Sequence, residues 1–193
     1  MSNKLKQTPS QTVGPFFSYA LTPEQSGYKL KSIASPDMRA DDTPGVHIKV
    51  TGKIYDGNGD IISDAMIEIW QADASGNYLN RDTPPSNETF TGFGRCDCEI
   101  NKEFYFNTIK PGSIGEGHAP HLNMIVFMRG MLTHAYTRVY FSDEDNSADQ
   151  VINSVPNERR KSLIAERTEE DGKVTYQLNL HMQGDNETVF FDV

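Results

Sequence analysis

Side chains of the right type come closest to a reactive arrangement in the run His118, Ala119, Pro120, His121, Leu122, Asn123. Residues two apart on a strand point to the same face, so a His-x-His pair would aim two imidazoles at one metal ion. The second position here is Asn123. A neutral amide is a poor donor to a hard trivalent ion beside imidazole or phenolate. From these residues alone, His121 reads as a hydrogen-bonded histidine in a sheet. Arg138 is a second focus. Strand alternation puts it on one face with His134, Tyr136 and Tyr140, where a tyrosine ring could hold its guanidinium by cation–π contact. The competing reading is an ordinary surface arginine in a salt bridge, worth about 0–1 kcal/mol. Gly14-Pro15 is a bend in a surface arm, or a place where an absent side chain lets the arm approach a ligand. Cys96 and Cys98 are the only cysteines. Neighbours this close rarely bridge, and C-x-C alone is half a zinc site, so they read as reduced thiols of a cytosolic protein. No G-x-S-x-G, Walker loop, G-x-G-x-x-G or H-E-x-x-H occurs.

The elements that must position these residues are mostly strands. Val46, Ile48, Val50 and Ile54 alternate with polar neighbours, and Asp56–Asp60 (DGNGD) supplies a turn. Ala65–Gln71 reads as a strand with Ile67 and Ile69 on one face and Met66, Glu68 and Trp70 on the other. Trp70 is expected to be packed. Phe104–Ile109 is a strand stopped by Pro111-Gly112. His121–Arg129 and Thr133–Phe141 follow, then alternation from Val174 to Met182, and Val189–Asp192 could close a last strand. On the strand carrying Arg138, Ala135, Thr137, Val139 and Phe141 form the core face. Ser142–Asp149 reads as a solvated acidic loop. One helix is expected over Asn157–Arg167, with Ser154 as a cap and Pro156 near its start. Residues 1–45, rich in proline, read as an extended arm, and 46–193 as a single all-β domain, an antiparallel β-sandwich.

The chain has 193 residues, with 18 Lys+Arg against 27 Asp+Glu and a formal net charge of -9. That length supports a real core. The acid excess argues against a nucleic-acid partner. No apolar run approaches the roughly 20 residues of a membrane span, and no secretory signal is visible, so the expectation is a cytoplasmic protein with no membrane contact.

Seven stretches together resemble the intradiol ring-cleavage dioxygenases: TPSQTVGPFF, IYDGNGD, IEIWQADASGNY, FNTIKPG, APHLNMIVFMRG, YTRVYFSDE and the tail GDNETVFFDV. They run through nearly the whole chain, in order. Catalytic chains of this family hold Fe(III) on two tyrosines and two histidines. By position, the resemblance matches Tyr78 to the first tyrosine, Ile114 to the second, His121 to the first histidine and Asn123 to the second. The arginine that catalytic chains carry three residues before the first histidine is matched by His118. Two of the four ligands are therefore absent, and the resemblance implies no catalytic residue and no metal in this chain. It implies instead a partner: a homologous beta chain that keeps the iron, with 3,4-dihydroxybenzoate and O2 as substrates of the assembled enzyme in the beta-ketoadipate pathway. The share of this chain would be substrate-pocket residues, Thr12, Gly14, Pro15 and Arg138. Two rivals remain. One is a self-sufficient iron site built from His118, Tyr78 and His121. The other is a non-enzymatic β-sandwich that binds a small aromatic or a protein through the old pocket.

Overall fold

The computed structural model describes residues 17–79 and 89–193. Ten strands carry the fold: β1 (His47–Gly52), β2 (Ile54–Tyr55), β3 (Met66–Trp70), β4 (Phe93–Asp97), β5 (Phe104–Ile109), β6 (His121–Phe127), β7 (Ala135–Phe141), β8 (Ile164–Glu170), β9 (Lys173–Gln177) and β10 (Leu180–His181). Eight of them form one sheet in the order β4-β3-β6-β7-β8-β9-β1-β5, and β10 pairs with β2 in a second. The two ends of the large sheet come together. The Tyr105 N–H on β5 donates to Cys96 Sγ on β4 at 3.4 Å. Residues 35–40 lie along both ends, with Asn107 N–H donating to the Pro36 carbonyl, Met38 N–H to that of Asn107 and Arg95 N–H to that of Ser35. The result is a barrel-like sandwich closed by side chains and a strap, not by a continuous ladder.

The alternation expected from sequence is the packing pattern observed in most of the strands, although Val46 lies ahead of β1 and is exposed. Ile48 and Val50 of β1, Ile67 and Ile69 of β3, Leu122, Met124 and Val126 of β6, and Val139 and Phe141 of β7 fill one buried cluster. A strand's period of two delivers one of its faces to such a core, and each fully buried aliphatic or aromatic side chain contributes about 1.5–3 kcal/mol. Cys96 and Cys98 sit in this cluster as free thiols. Burial raises both above the ordinary thiol value, Cys96 to about 11, so they pack as small apolar groups.

Several details depart from the sequence reading. The sheet is mixed rather than purely antiparallel: β7 with β8, β1 with β9, and β2 with β10 are parallel pairs. A long crossover makes the first of these possible, because the chain leaves β7 and returns in the same direction through residues 142–163. Over the expected helix, Asn157–Arg167, the structure has α3 (Asn157–Arg160), a 3-10 turn at Lys161–Leu163 and the start of β8, and the described residues hold two further short helices, α1 (Phe17–Leu21) and α2 (Gln150–Asn153). The sequence from Ile164 onward has fair helix propensity, yet it pairs with β9 as β8. Tertiary pairing outweighs a propensity of a few tenths of a kcal/mol per residue. Ser154 closes α2 as its C-cap, and Asp149 caps its start. Val189–Asp192 contributes only an isolated bridge, Phe191 to Tyr136. The strand β4 was not foreseen. Among the described residues no helix is long and apolar enough to cross a membrane.

Gly52, at the end of β1, shows how tightly the barrel closes. A Cβ there would lie 1.8 Å from the Leu178 carbonyl oxygen, a backbone atom that cannot swing aside. Gly52→Ala is expected to lower Tm by roughly 3–10 °C, read by calorimetry.

Candidate functional site

The site residues are placed by three adjacent strands. Trp70 on β3, Asn123 on β6 and Arg138 on β7 are cross-strand partners in one row, and His121 pairs with Tyr140 in the next. Because side chains two apart share a face, this side of the sheet carries Trp70, Asn123, His121, Arg138 and Tyr140 together.

Tyr78 reaches this row from a loop with its own internal logic. Gln71, fully buried, donates to the Ile109 carbonyl at 2.9 Å and accepts from the Thr108 hydroxyl at 2.7 Å, fixing the end of β3 to β5. The Asp73 carboxylate accepts from Ser75 and Asn77 N–H and shapes the turn. Gly76 adopts φ +84°, and a Cβ there would lie 2.0 Å from the Ser113 carbonyl oxygen and 3.5 Å from the Ile114 Cα. Only glycine allows the Tyr78 loop to lie against the segment carrying Ile114. The loop delivers Tyr78 to the sheet. Asn123 Nδ2 donates to its phenol oxygen at 2.7 Å, and the Trp70 ring packs on the Tyr78 ring with centroids 4.8 Å apart. Trp70 is 50% exposed, so the packing expected of it is one-sided, against Tyr78 at the rim.

His121, 3% exposed, donates from Nδ1 to the Ala119 carbonyl at 2.8 Å. That bond puts the ring proton on Nδ1 and leaves Nε2 a bare lone pair, which is buried without a partner. Burial lowers the His121 pKa, the bond to Ala119 opposes this, and the Arg138 charge lowers it further. The ring is therefore neutral. Tyr78 is shifted the other way: burial raises its pKa, against the opposing effects of Asn123 and Arg138, so the phenol keeps its proton.

Arg138 is half-buried. It meets Tyr140 through the hydroxyl, with Nη1 donating at 3.4 Å, and not through the ring face expected from sequence. Tyr140 was expected on the outward face. It is instead completely buried under a second apolar cluster with Ala119, Ile152, Val155, Leu163 and Val189. Behind it lies Asp149, which sequence reasoning assigned to a solvated loop and which is 1% exposed. Its carboxylate accepts from Tyr140 Oη at 2.8 Å, from Ala119 N–H at 2.9 Å, and from Val151 and Ile152 N–H at 2.9 Å each. The signal for it was an Asp one position before a helix, which marks an N-cap.

Of the sequence-derived positions, Tyr78, Asn123, His121 and Arg138 converge on this face, with Ile114 in the adjoining loop. Thr12, Gly14 and Pro15 lie outside the described residues. The donor set does not fit a ferric ion. Ferric iron favours anionic oxygen and imidazole donors. Here Ile114 offers none, the Asn123 amide presents hydrogens to Tyr78, and Tyr78 is a neutral phenol beside the Arg138 cation. Among the four matched positions one imidazole lone pair remains, that of His121 Nε2.

Known proteins share the sequence and the fold of this chain. A family model described as Dioxygenase matches residues 14–184. The protocatechuate 3,4-dioxygenase alpha chain of Burkholderia cepacia is 48% identical over 98% of each chain. The beta chain of the same enzyme in that organism is 28% identical, covering 75% of this chain and 67% of its own. Among solved structures, the dioxygenase domain of a carbohydrate-binding fusion protein from Streptomyces sp. SirexAA-E superposes with a TM-score of 0.63 at 20% identity, covering 95% of this chain and all of that one. The chain belongs to the intradiol ring-cleavage dioxygenase family.

Asp149 makes the site's support sensitive to acid. Burial would raise its pKa, but the bonds from Ile152, Tyr140, Ala119 and Val151 outweigh burial and hold it below the ordinary carboxylate range. A folded-state pKa below the unfolded value of about 3.9 adds stability that is present above that pH and lost as pH falls through the folded value. Asp149→Asn is expected to be about 1–3 kcal/mol less stable at pH 7 and to lose less stability than the parent below pH ~4, in urea denaturation across pH.

Proposed function

We propose, from membership of the intradiol family, that this chain is the iron-free alpha subunit of a protocatechuate 3,4-dioxygenase. It works beside a homologous beta chain that supplies the two tyrosines and two histidines for Fe(III). The assembled hetero-oligomer cleaves 3,4-dihydroxybenzoate between its two hydroxyl-bearing carbons, with both atoms of O2 entering the product, 3-carboxy-cis,cis-muconate. This is a step of the beta-ketoadipate pathway, placed in the cytoplasm. The observation that carries the reading is the 2.7 Å bond from Asn123 to Tyr78. Two positions that would offer lone pairs to a metal in a catalytic chain are joined here as donor and acceptor. The 48% identity to an alpha chain supports the same assignment.

The contribution of this chain is shape, charge and exclusion of water around the acid substrate. Thr12, Gly14 and Pro15 of the arm are assigned to the wall of the substrate pocket. Arg138 is assigned to the substrate's carboxylate, which a planar five-donor cation recognises better than a lysine. Residues 1–45 are assigned to the partner and to the domain of this chain. Tyr28, Leu30 and Ile33 favour that role: all three are exposed, Ile33 at 99%, and association would remove them from water.

The isolated chain is expected to bind no stoichiometric iron and to take up no oxygen with 3,4-dihydroxybenzoate, whereas co-expression with the beta chain restores both. Iron analysis and an oxygen electrode test this. Near-stoichiometric iron with turnover in the chain alone would refute it.

A further inference from the structure

Acids outnumber bases in this chain by 27 to 18, so carboxylates to pair with its cations are plentiful. Three cations nevertheless gather on one outward face with little to meet them. Cross-strand register places Lys49 of β1 beside Asn107 of β5 and beside Thr175 of β9. Lys173 lies two residues before Thr175 and shares its face. The strap runs along the same side, since Asp37 bridges to Asn107, and it carries Arg39. Together these residues line a groove of about 510 Å³, walled by the strap and by the β8–β9 hairpin. That size falls within the roughly 300–1,000 Å³ of small-molecule sites. Arg39 Nε is buried and meets no acceptor. The ion pair that Arg39 makes is with Asp41, at 3.8 Å from Nη1, and the Asp41 side chain is fully exposed. Among the described residues no carboxylate lies in ion-pair range of Lys49 or Lys173. The other acid of the groove, Asp37, already accepts from the Asn107 amide.

Like charges that share one face of a sheet repel, and a guanidinium side chain only 23% exposed, with one nitrogen unmet, is poorly compensated. An anion in the groove relieves both at once, through charge-assisted bonds. We infer that the groove binds a small polyanion, with one anionic group on the Arg39 guanidinium, further groups on Lys49 and Lys173, and the Thr175 hydroxyl donating beside them. A cleft lined by one sign of charge concentrates ions of the other sign, even on a molecule whose net charge opposes them. Polycarboxylates and phosphorylated small molecules share the chemistry required. The inference goes beyond the two-chain reading and does not rest on it.

The test is calorimetric titration of the purified protein, with its partner chain where one copurifies, at fixed ionic strength. The probes are tricarballylate and pyrophosphate, with acetate as the single-charge comparison. The expected result is saturable binding of one polyanion per copy of this chain, about tenfold tighter than acetate or more. Whichever probe binds tighter assigns the groove to polycarboxylates or to phosphorylated molecules. Arg39→Gln and Lys173→Gln should each weaken binding by roughly fivefold or more. Lys173 is exposed, so its variant guards against a misfolded Arg39 variant. Lys161→Gln removes the same charge from a different groove and should leave the affinity unchanged. No saturable binding of either probe overturns the inference, as does one common affinity across all three variants. Binding by the isolated chain that vanishes in the two-chain assembly also overturns it, because the groove would then belong to the contact with the partner chain.

Discussion

An amide N–H of Asn123 aimed at the phenol oxygen of Tyr78 sets the polarity of everything around it. A metal site is built from lone pairs converging on one point. An amide nitrogen brings hydrogens instead, and its bond turns the phenol into an acceptor whose own hydrogen faces outward. Burial then keeps the phenol protonated. Placing Arg138 directly across the strand pair from Asn123 completes the inversion. Strand register is what makes the change local. Each row across β3, β6 and β7 is fixed by the ladder, so exchanging side chains reverses the sign of the site without moving its walls.

The elements around this face are tied together by one buried carboxylate. Asp149 is that tie. One carboxylate holds the start of α2, the hydroxyl of β7 and the segment leading into β6. Charge-assisted bonds of this kind are shorter and stronger than neutral ones, and removing such a group leaves several buried donors unpaired at once. The Ala119 N–H that Asp149 receives belongs to the residue whose carbonyl takes the His121 ring proton. The tautomer of His121, and so its unused lone pair, is fixed through this chain of bonds and not by any direct contact with the acid.

The strands around the site were legible because they alternate: Ile48 and Val50, Ile67 and Ile69, Leu122, Met124 and Val126 each read as one face turned inward, and each is buried. The strand β4 was not, because Phe93-Gly94-Arg95-Cys96-Asp97 has glycine and charge where alternation would show, and its pairing to β3 is a long-range fact. The stretch from Ile164 to Arg167 misled for the opposite reason. Its local preference is helical, while its place between β7 and β9 is decided by residues far off in sequence. At the site, Tyr78, His121 and Asn123 could be named from the family resemblance, but that Asn123 donates to Tyr78 depends on a loop held by Gln71, Asp73 and Gly76. Asp149 was hidden by composition. A run of acidic and polar residues suggests solvent, and the N-cap signal of Asp149 shows only once a helix is placed at Gln150–Asn153.

The same contrast separates net charge from local charge. With nine more acids than bases, the chain as a whole repels anions at a distance. Salt screens that repulsion beyond a Debye length of about 8 Å at physiological ionic strength. At contact distance only the groups on the wall count, and on the Trp70–Asn123–Arg138 row the charged group is a cation. An acid arriving there exchanges its hydration for a guanidinium already partly stripped of water, and the low dielectric of the half-buried face strengthens the pairing. The acid excess and the local cation are therefore compatible: the first acts at a distance and is screened, the second acts at contact.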